Sequence, residues 1–172
     1  MAAETLTNAT LPGGYGQGLA GALLRQHYVV EIAVTALEVG DIFVIGSIPR
    51  NALVSGGFLV TDDMDTGAEA LEIDLGFAIA GTTTATWTDT STGVTYTNAA
   101  AAADPDGFVN SGVLTGDVQV DEFAAGVNYR PILLPYPLWF SAKTTLQAEV
   151  IAAATTMAAG TLAVYLDYQI TG

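Results

Sequence analysis

Two stretches of this chain alternate apolar and polar residues with a period of two, and that pattern restricts the fold more than any other feature of the sequence. In Thr161 to Gly172, Leu162, Val164, Leu166, Tyr168 and Ile170 fall on one face, with Thr161, Asp167, Gln169 and Thr171 on the other. From Ala70 to Ala80, Leu71, Ile73, Leu75, Phe77 and Ile79 stand opposite Glu72, Asp74, Gly76 and Ala78. Successive side chains of a strand point to opposite faces, so both stretches read as half-buried strands, and neither reads at helical spacing. A chain patterned this way is a rigid β module whose function lies in the surfaces it presents rather than in a reaction it performs.

At 172 residues the chain fits one domain with a core of its own. Cysteine is absent, which removes disulfides, thiolate metal sites and thiol nucleophiles. Met1-Ala2-Ala3-Glu4-Thr5 lacks the positive and apolar regions of a signal peptide. The longest apolar stretch, Val150 to Leu166, is interrupted by Thr155, Thr156, Gly160 and Thr161, so no membrane span is expected. Charged residues make up only 13% of the chain, against about 25% in ordinary soluble domains. A surface so poor in charge is best buried against other chains, which points to an obligate oligomer or a larger assembly. Of the charges, 18 are acidic and four are basic (Arg25, Arg50, Arg130 and Lys143), for a net charge of −14. Phosphate-backbone binding needs clustered cations, so nucleic acid is excluded as a partner.

Residues 1–26 differ from the remainder: Leu11-Pro12-Gly13-Gly14-Tyr15-Gly16-Gln17-Gly18 is glycine-rich, Leu19 to Gln26 has room for two helical turns, and the segment reads as an extended arm. Residues 27–172 read as a single domain. A strand is expected from Tyr28 to about Leu37, a turn at Val39-Gly40-Asp41, a strand over Ile42–Ile45, and another over Leu53–Thr61 bent at Gly56-Gly57. Two short strands flank Ser91-Thr92-Gly93, a helical turn follows near Asn98–Ala103, and Asp104-Pro105-Asp106-Gly107 reads as a turn. Weaker strands are expected near Phe108–Leu114 and Asp117–Phe123. Pro131 to Phe140 carries three prolines, as an edge segment would, and the strands Lys143–Ala152 and Thr161–Ile170 are expected to pair with each other. Roughly eight to ten strands at such spacing predict an all-β, antiparallel jelly roll or sandwich.

Chemistry-bearing patterns are few. Gly16-Gln17-Gly18-Leu19-Ala20-Gly21 matches a dinucleotide-binding fingerprint by letter, but lacks the strand before it and the long helix after it. Asp62, Asp63 and Asp65 resemble a calcium loop, yet in the twelve-residue frame Ile73 occupies the place of the bidentate acid, so a solvated turn is the better reading. His27 is the only histidine and no G-x-S-x-G elbow accompanies it, which makes it structural. Glu72 and Asp74, on one strand face, are the nearest approach to a glycosidase pair, while Trp87 and Trp139 read as core or interface residues. No catalytic residue, metal ligand or cofactor site is assigned.

The run from Val30 to Gly57 resembles the opening of small jelly-roll proteins encoded beside the major capsid protein in tailed bacteriophages, the capsid decoration or cement proteins. The 70–80 strand, Ala103-Asp104-Pro105 and the ending Ala159-Gly160-Thr161-Leu162-Ala163-Val164-Tyr165-Leu166 extend the likeness. The resemblance implies binding to the outside of the shell as a homotrimer, with the major capsid protein and itself as partners and without a cofactor. Physical reasoning agrees, since a charge of −14 belongs away from packaged DNA. Expected contact residues are Tyr15, Arg25, Arg50, Arg130, Pro135, Tyr136, Pro137, Trp139 and Phe140. The competing reading is a head-fibre or receptor-binding jelly roll that binds host glycans, which calls for exposed aromatic clusters. A secreted adhesive module is a third reading, disfavoured by the N-terminus.

Overall fold

The computed structural model describes residues 5–7, 22–33, 37–62, 64–66, 71–81, 84–109 and 128–171, with the backbone alone for 5–7, 128 and 130. Its strands are β1 (Thr5–Thr7), β2 (Leu23–Ile32), β3 (Ile42–Ile48), β4 (Ala52–Thr61), β5 (Glu72–Phe77), β6 (Thr86–Thr88), β7 (Thr95–Thr97), β8 (Asp104–Val109), β9 (Asn128–Ile132), β10 (Leu138–Phe140), β11 (Thr144–Ala152) and β12 (Gly160–Ile170). A 3-10 turn, Ala99–Ala101, follows β7. One sheet has the order β1-β3-β11-β5-β8, and the second has β10-β4-β12-β2 with β9 also paired to β4. β6 and β7 form a hairpin outside both sheets. Among the described strand pairs β1 and β3 alone run parallel, and the isolated bridge between Asn98 and Trp139 is parallel too.

Alternation does what it implies. Along β12, Leu162, Val164, Leu166 and Tyr168 are buried, and they pack with Tyr28, Val30 and Ile32 of β2 and Val54 and Leu59 of β4. Phe43, Ile45 and Ile48 of β3, Leu146, Ala148 and Val150 of β11, and Ile73, Leu75 and Phe77 of β5 complete the same core from the other sheet. The Tyr28 hydroxyl crosses between sheets to donate to the Ser47 carbonyl (2.7 Å). The molecule is therefore the antiparallel sandwich expected, with apolar inner faces meeting in one layer.

Several local expectations change. β11 and β12 do not pair: β11 lies between β3 and β5, and β12 lies in the opposite sheet between β4 and β2. Their connector is held away from a hairpin by Asp65, whose buried carboxylate accepts the Thr155 amide (3.0 Å), the Thr156 amide (2.9 Å) and the Thr155 hydroxyl (3.1 Å). β2 begins at Leu23 rather than Tyr28, because β12 is long enough to pair Gln169 with Leu23 and Asp167 with Arg25. A two-turn helix there would be marginal, whereas pairing with β12 gives the segment a ladder along one side. Thr5–Thr7, which had no strand signal, adds to the edge at β3.

Asp104-Pro105-Asp106-Gly107 is not a turn but the start of edge strand β8, where a proline without an N–H is tolerated. The β8 backbone at Asp104 and Pro105 lies directly over Gly76. Both faces of β5 are thereby covered, so Asp74 is buried instead of sharing a solvent face with Glu72, and Ile79 lies exposed beyond the strand. The bend at Gly56-Gly57 is a bulge, the register shifting so that Ser55 has no partner on β12. The strands expected over 110–114 and 117–123, and the glycine-rich motif at 16–21, lie outside the described residues.

Burial, and next the hydrogen bond and charge of Asp106, raise the Asp104 carboxyl above the usual range. The folded state thus holds this proton to higher pH than the unfolded chain, so its contribution to stability is lost as pH rises from the ordinary carboxylate value through the raised one. Asp104→Asn is expected to increase the melting temperature at pH 7 and to have little effect at pH 3. An equal change at both pH values in thermal melts would contradict this.

Candidate functional site

One end of the sandwich gathers the β3–β4 turn, the β10–β11 turn and the approach to the β6–β7 hairpin around an open cleft of about 520 Å³. Arg50 and Asn51 come from the first turn, Ser141 and Lys143 from the second, and Trp139 lines the wall between them. Local chemistry makes these turns. Asn51 sits in the left-handed region (φ 59°), which asparagine tolerates better than most residues. Its carbonyl accepts the Thr171 amide (2.8 Å) and hydroxyl (2.9 Å), and the same hydroxyl accepts the Trp139 indole N–H (3.1 Å). Asn51 also donates its amide to the Phe140 carbonyl (2.8 Å). On the other wall, Asn98 is buried, donates to the Ala80 carbonyl (3.2 Å) and accepts the Ser141 amide (3.1 Å). The cleft is therefore held by fixed hydrogen bonds rather than by mobile loops.

Its charge is unusual for this chain. Arg50 and Lys143 are both exposed, and among the described residues neither forms an ion pair. The Ser141 hydroxyl oxygen is buried and has no hydrogen-bond partner among the described residues. Two of four basic residues in a chain of net charge −14 thus converge on one cleft, beside an amide and an unsatisfied hydroxyl. Chemically this arrangement suits an anion.

The other expected contact residues fall elsewhere. Arg25 is spent within the chain: its guanidinium makes a two-pronged contact to Asp167 (2.6 Å for each bond) and lies 5.1 Å over the Phe58 ring. Asp167, chiefly through that hydrogen bond, raises the Arg25 pKa further. The backbone of Arg130 pairs with Leu59 in β9. Tyr15 lies outside the described residues. Pro131 to Phe140 runs along the edge of the second sheet, where β9 and β10 pair with successive parts of the same edge of β4. There Leu133 and Tyr136 are 79% and 65% exposed, with Pro135 exposed and Pro137 half-buried. Trp139 and Phe140 are buried, Phe140 at 0% beneath Phe77 and Phe108, so they support this edge from inside.

Two features had no sequence expectation. Lys143 and Ser141 sit in an unremarkable turn, and only the fold brings them to Arg50 and its neighbour Asn51. Across the outer face of the second sheet runs an aromatic ladder. His27 stacks on Tyr165 (4.3 Å, 10°), Tyr165 on Phe58 (4.3 Å, 19°), and Phe58 meets Tyr129 (5.2 Å, 37°). These residues occupy outward positions of β2, β12, β4 and β9, so the signal was an aromatic at each polar-face position, unreadable without knowing which strands are neighbours. His27 is an exposed member of the ladder. Because each ring covers its neighbour, the rings offer edges to solvent, and a sugar ring could stack only on the outer faces of His27 and Tyr129.

The acidic residues serve the backbone. Asp62 accepts the Thr161 amide (3.0 Å), and Asp65 is 1% exposed and committed to Thr155 and Thr156, so the expected solvated turn is in part a buried clamp. Asp63 lies outside the described residues. Among the described residues no group of three or more His, Asp or Glu side chains could hold a metal ion. Among the described residues no helix is long and apolar enough to cross a membrane. Trp87 stacks on Tyr96 (5.5 Å) in the β6–β7 hairpin.

No protein-family model and no curated protein matches the chain. Solved structures do. A chain in the capsid asymmetric unit of cyanophage Pam1 is similar over 94% of this chain and 94% of its own, at 17% identity and a TM-score of 0.58. A chain in the capsid of Ralstonia phage GP4 is similar over 90% of this chain and 87% of its own, at 19% identity and a TM-score of 0.58. This chain thus has the fold of chains found in phage capsids.

Proposed function

We propose that this chain is a structural virion protein that binds the outer surface of a phage capsid, as a homotrimer, and braces contacts between major capsid subunits. The observation that carries the reading is the end-to-end similarity to a chain in the Pam1 capsid asymmetric unit, 94% of both chains. The likeness extends over nearly the full length of both chains and is not confined to one part of either. The physical character of this molecule supports the same role. Two sheets share one packed core, the surface is poor in charge, and the edge at Leu133 and Tyr136 offers apolar contact. Net negative charge favours the outer side of a shell that holds DNA. For the glycan-binding alternative the aromatic ladder offers only its two end faces, at His27 and Tyr129, because the rings between them cover one another.

Exposed ion pairs contribute about 0–1 kcal/mol each and weaken with salt, whereas apolar burial contributes roughly 25 cal/mol per Å² and persists. Attachment to the shell is therefore expected to survive a wash in about 1 M salt, where the screening length falls to about 3 Å. Mild denaturant or heat should release the protein. Release by salt alone, followed by gel analysis of washed particles, would show that charge holds it to the shell.

A further inference from the structure

We propose that the cleft between Arg50 and Lys143 is a socket for a carboxylate side chain of a second copy of this chain. The inference rests on the reading above that the protein works as a homo-oligomer, and it names the contact that joins the copies.

The chain has 18 acidic residues and four basic ones. Arg25 is neutralised by its own Asp167, whereas Arg50 and Lys143 are drawn to one end of the fold with no ion pair among the described residues. Two cations held together repel each other, and a cleft that also holds the Asn51 amide and the buried, unpartnered Ser141 hydroxyl is complete only when an anion enters. Position is fixed in advance, because Asn51 is tied to Thr171 and Phe140, and Ser141 to Asn98. Such preorganisation lowers the cost of ordering the site when it binds.

Openness and partner charge then identify the occupant. Both cations lie exposed at the rim, so the cleft of about 520 Å³ admits a side chain together with its flanking backbone, where a small-molecule site would enclose its ligand. A basic partner would be attracted by the rest of this surface and repelled by the socket. An acidic partner would meet net negative charge everywhere else, since without Arg50 and Lys143 the chain has 18 acidic and two basic residues. The one partner certain to be acidic is another copy, and for that contact the pair of cations removes a repulsion that cannot otherwise be avoided. A socket on one face that receives a carboxylate from a different face makes a head-to-tail interface, which closes into a ring when the rotation allows.

Lys143 is the only lysine, which makes the test specific. Equal amounts of ¹⁴N and ¹⁵N protein are mixed, dissociated and reassembled, and then treated with a water-soluble carbodiimide, which joins an amine to a touching carboxylate as an amide. Peptides linked through Lys143 are read by mass spectrometry. The expected result is a Lys143 link to an aspartate or glutamate peptide of the other isotope. Arg50→Glu with Lys143→Glu should weaken self-association about 100-fold, the equivalent of two charge-assisted contacts, with the melting temperature of the separated chains unchanged. Lys143→Arg should keep association and lose the link. Links only between peptides of one isotope, or no link in a protein that sediments as an oligomer, would overturn the socket while leaving the oligomer intact. A protein that stays monomeric at high concentration would instead overturn the homo-oligomer reading beneath it.

Discussion

Phe140→Ala is expected to destabilise the fold by about 3–5 kcal/mol, the usual cost of removing a fully buried aromatic ring. Phe140 is 0% exposed and meets Phe77 edge-on at 5.0 Å, with Phe108 at 6.3 Å. It therefore joins three strands, β10, β5 and β8, and its loss would leave a cavity where the sheets close over each other. A loss of that size is a large part of the roughly 5–15 kcal/mol by which a domain is stable. Equilibrium unfolding in urea measures it as a fall in midpoint at constant slope. A change below about 1 kcal/mol would mean that the ring is not the core element its burial indicates.

Gly57→Ala should have an effect of similar size for a different reason. An added Cβ would stand against the Tyr165 carbonyl and 3.1 Å from the Leu166 Cα, both backbone atoms of the central strand β12. The backbone there also has φ of +153°, which side chains with a Cβ rarely adopt. Neither β4 nor β12 can yield without opening their ladder, so a cost of at least ~3 kcal/mol is expected. Gly93→Ala supplies the comparison. Its φ is +73° and nothing lies within 4 Å, so it isolates conformational strain, about 1–2 kcal/mol. Equal melting temperatures for the two variants would show that the close approach of β4 to β12 is not what restricts Gly57.

Much of this architecture is legible in the residues. Leu162 to Tyr168 and Ile73 to Phe77 are buried where alternation places them, and Gly56-Gly57 is the bulge that paired glycines in a strand imply. Alternation reports which face is buried, but not which strand lies alongside. The connector between β11 and β12 is long enough for a hairpin or a crossing, and the deciding group, Asp65, lies 90 residues before Thr155. Asp74 carries the pattern of an outward residue and is buried because β8 folds over β5, a tertiary event with no local signal. The site divides in the same way. The exposed edge at Leu133 and Tyr136 follows from three prolines that exclude a central strand, whereas Arg50 meets Lys143 only because β4 and β10 pair at Leu53 and Trp139.

The most direct test of the proposed role is the ratio of this chain to the major capsid protein in purified, DNA-filled particles of the phage that encodes it, measured by quantitative mass spectrometry. A brace on the outer shell occupies every equivalent position, so the account predicts a fixed, saturating ratio that is the same from one preparation to the next. A few copies per particle, as a fibre or receptor-binding module would show, or none at all, would contradict it.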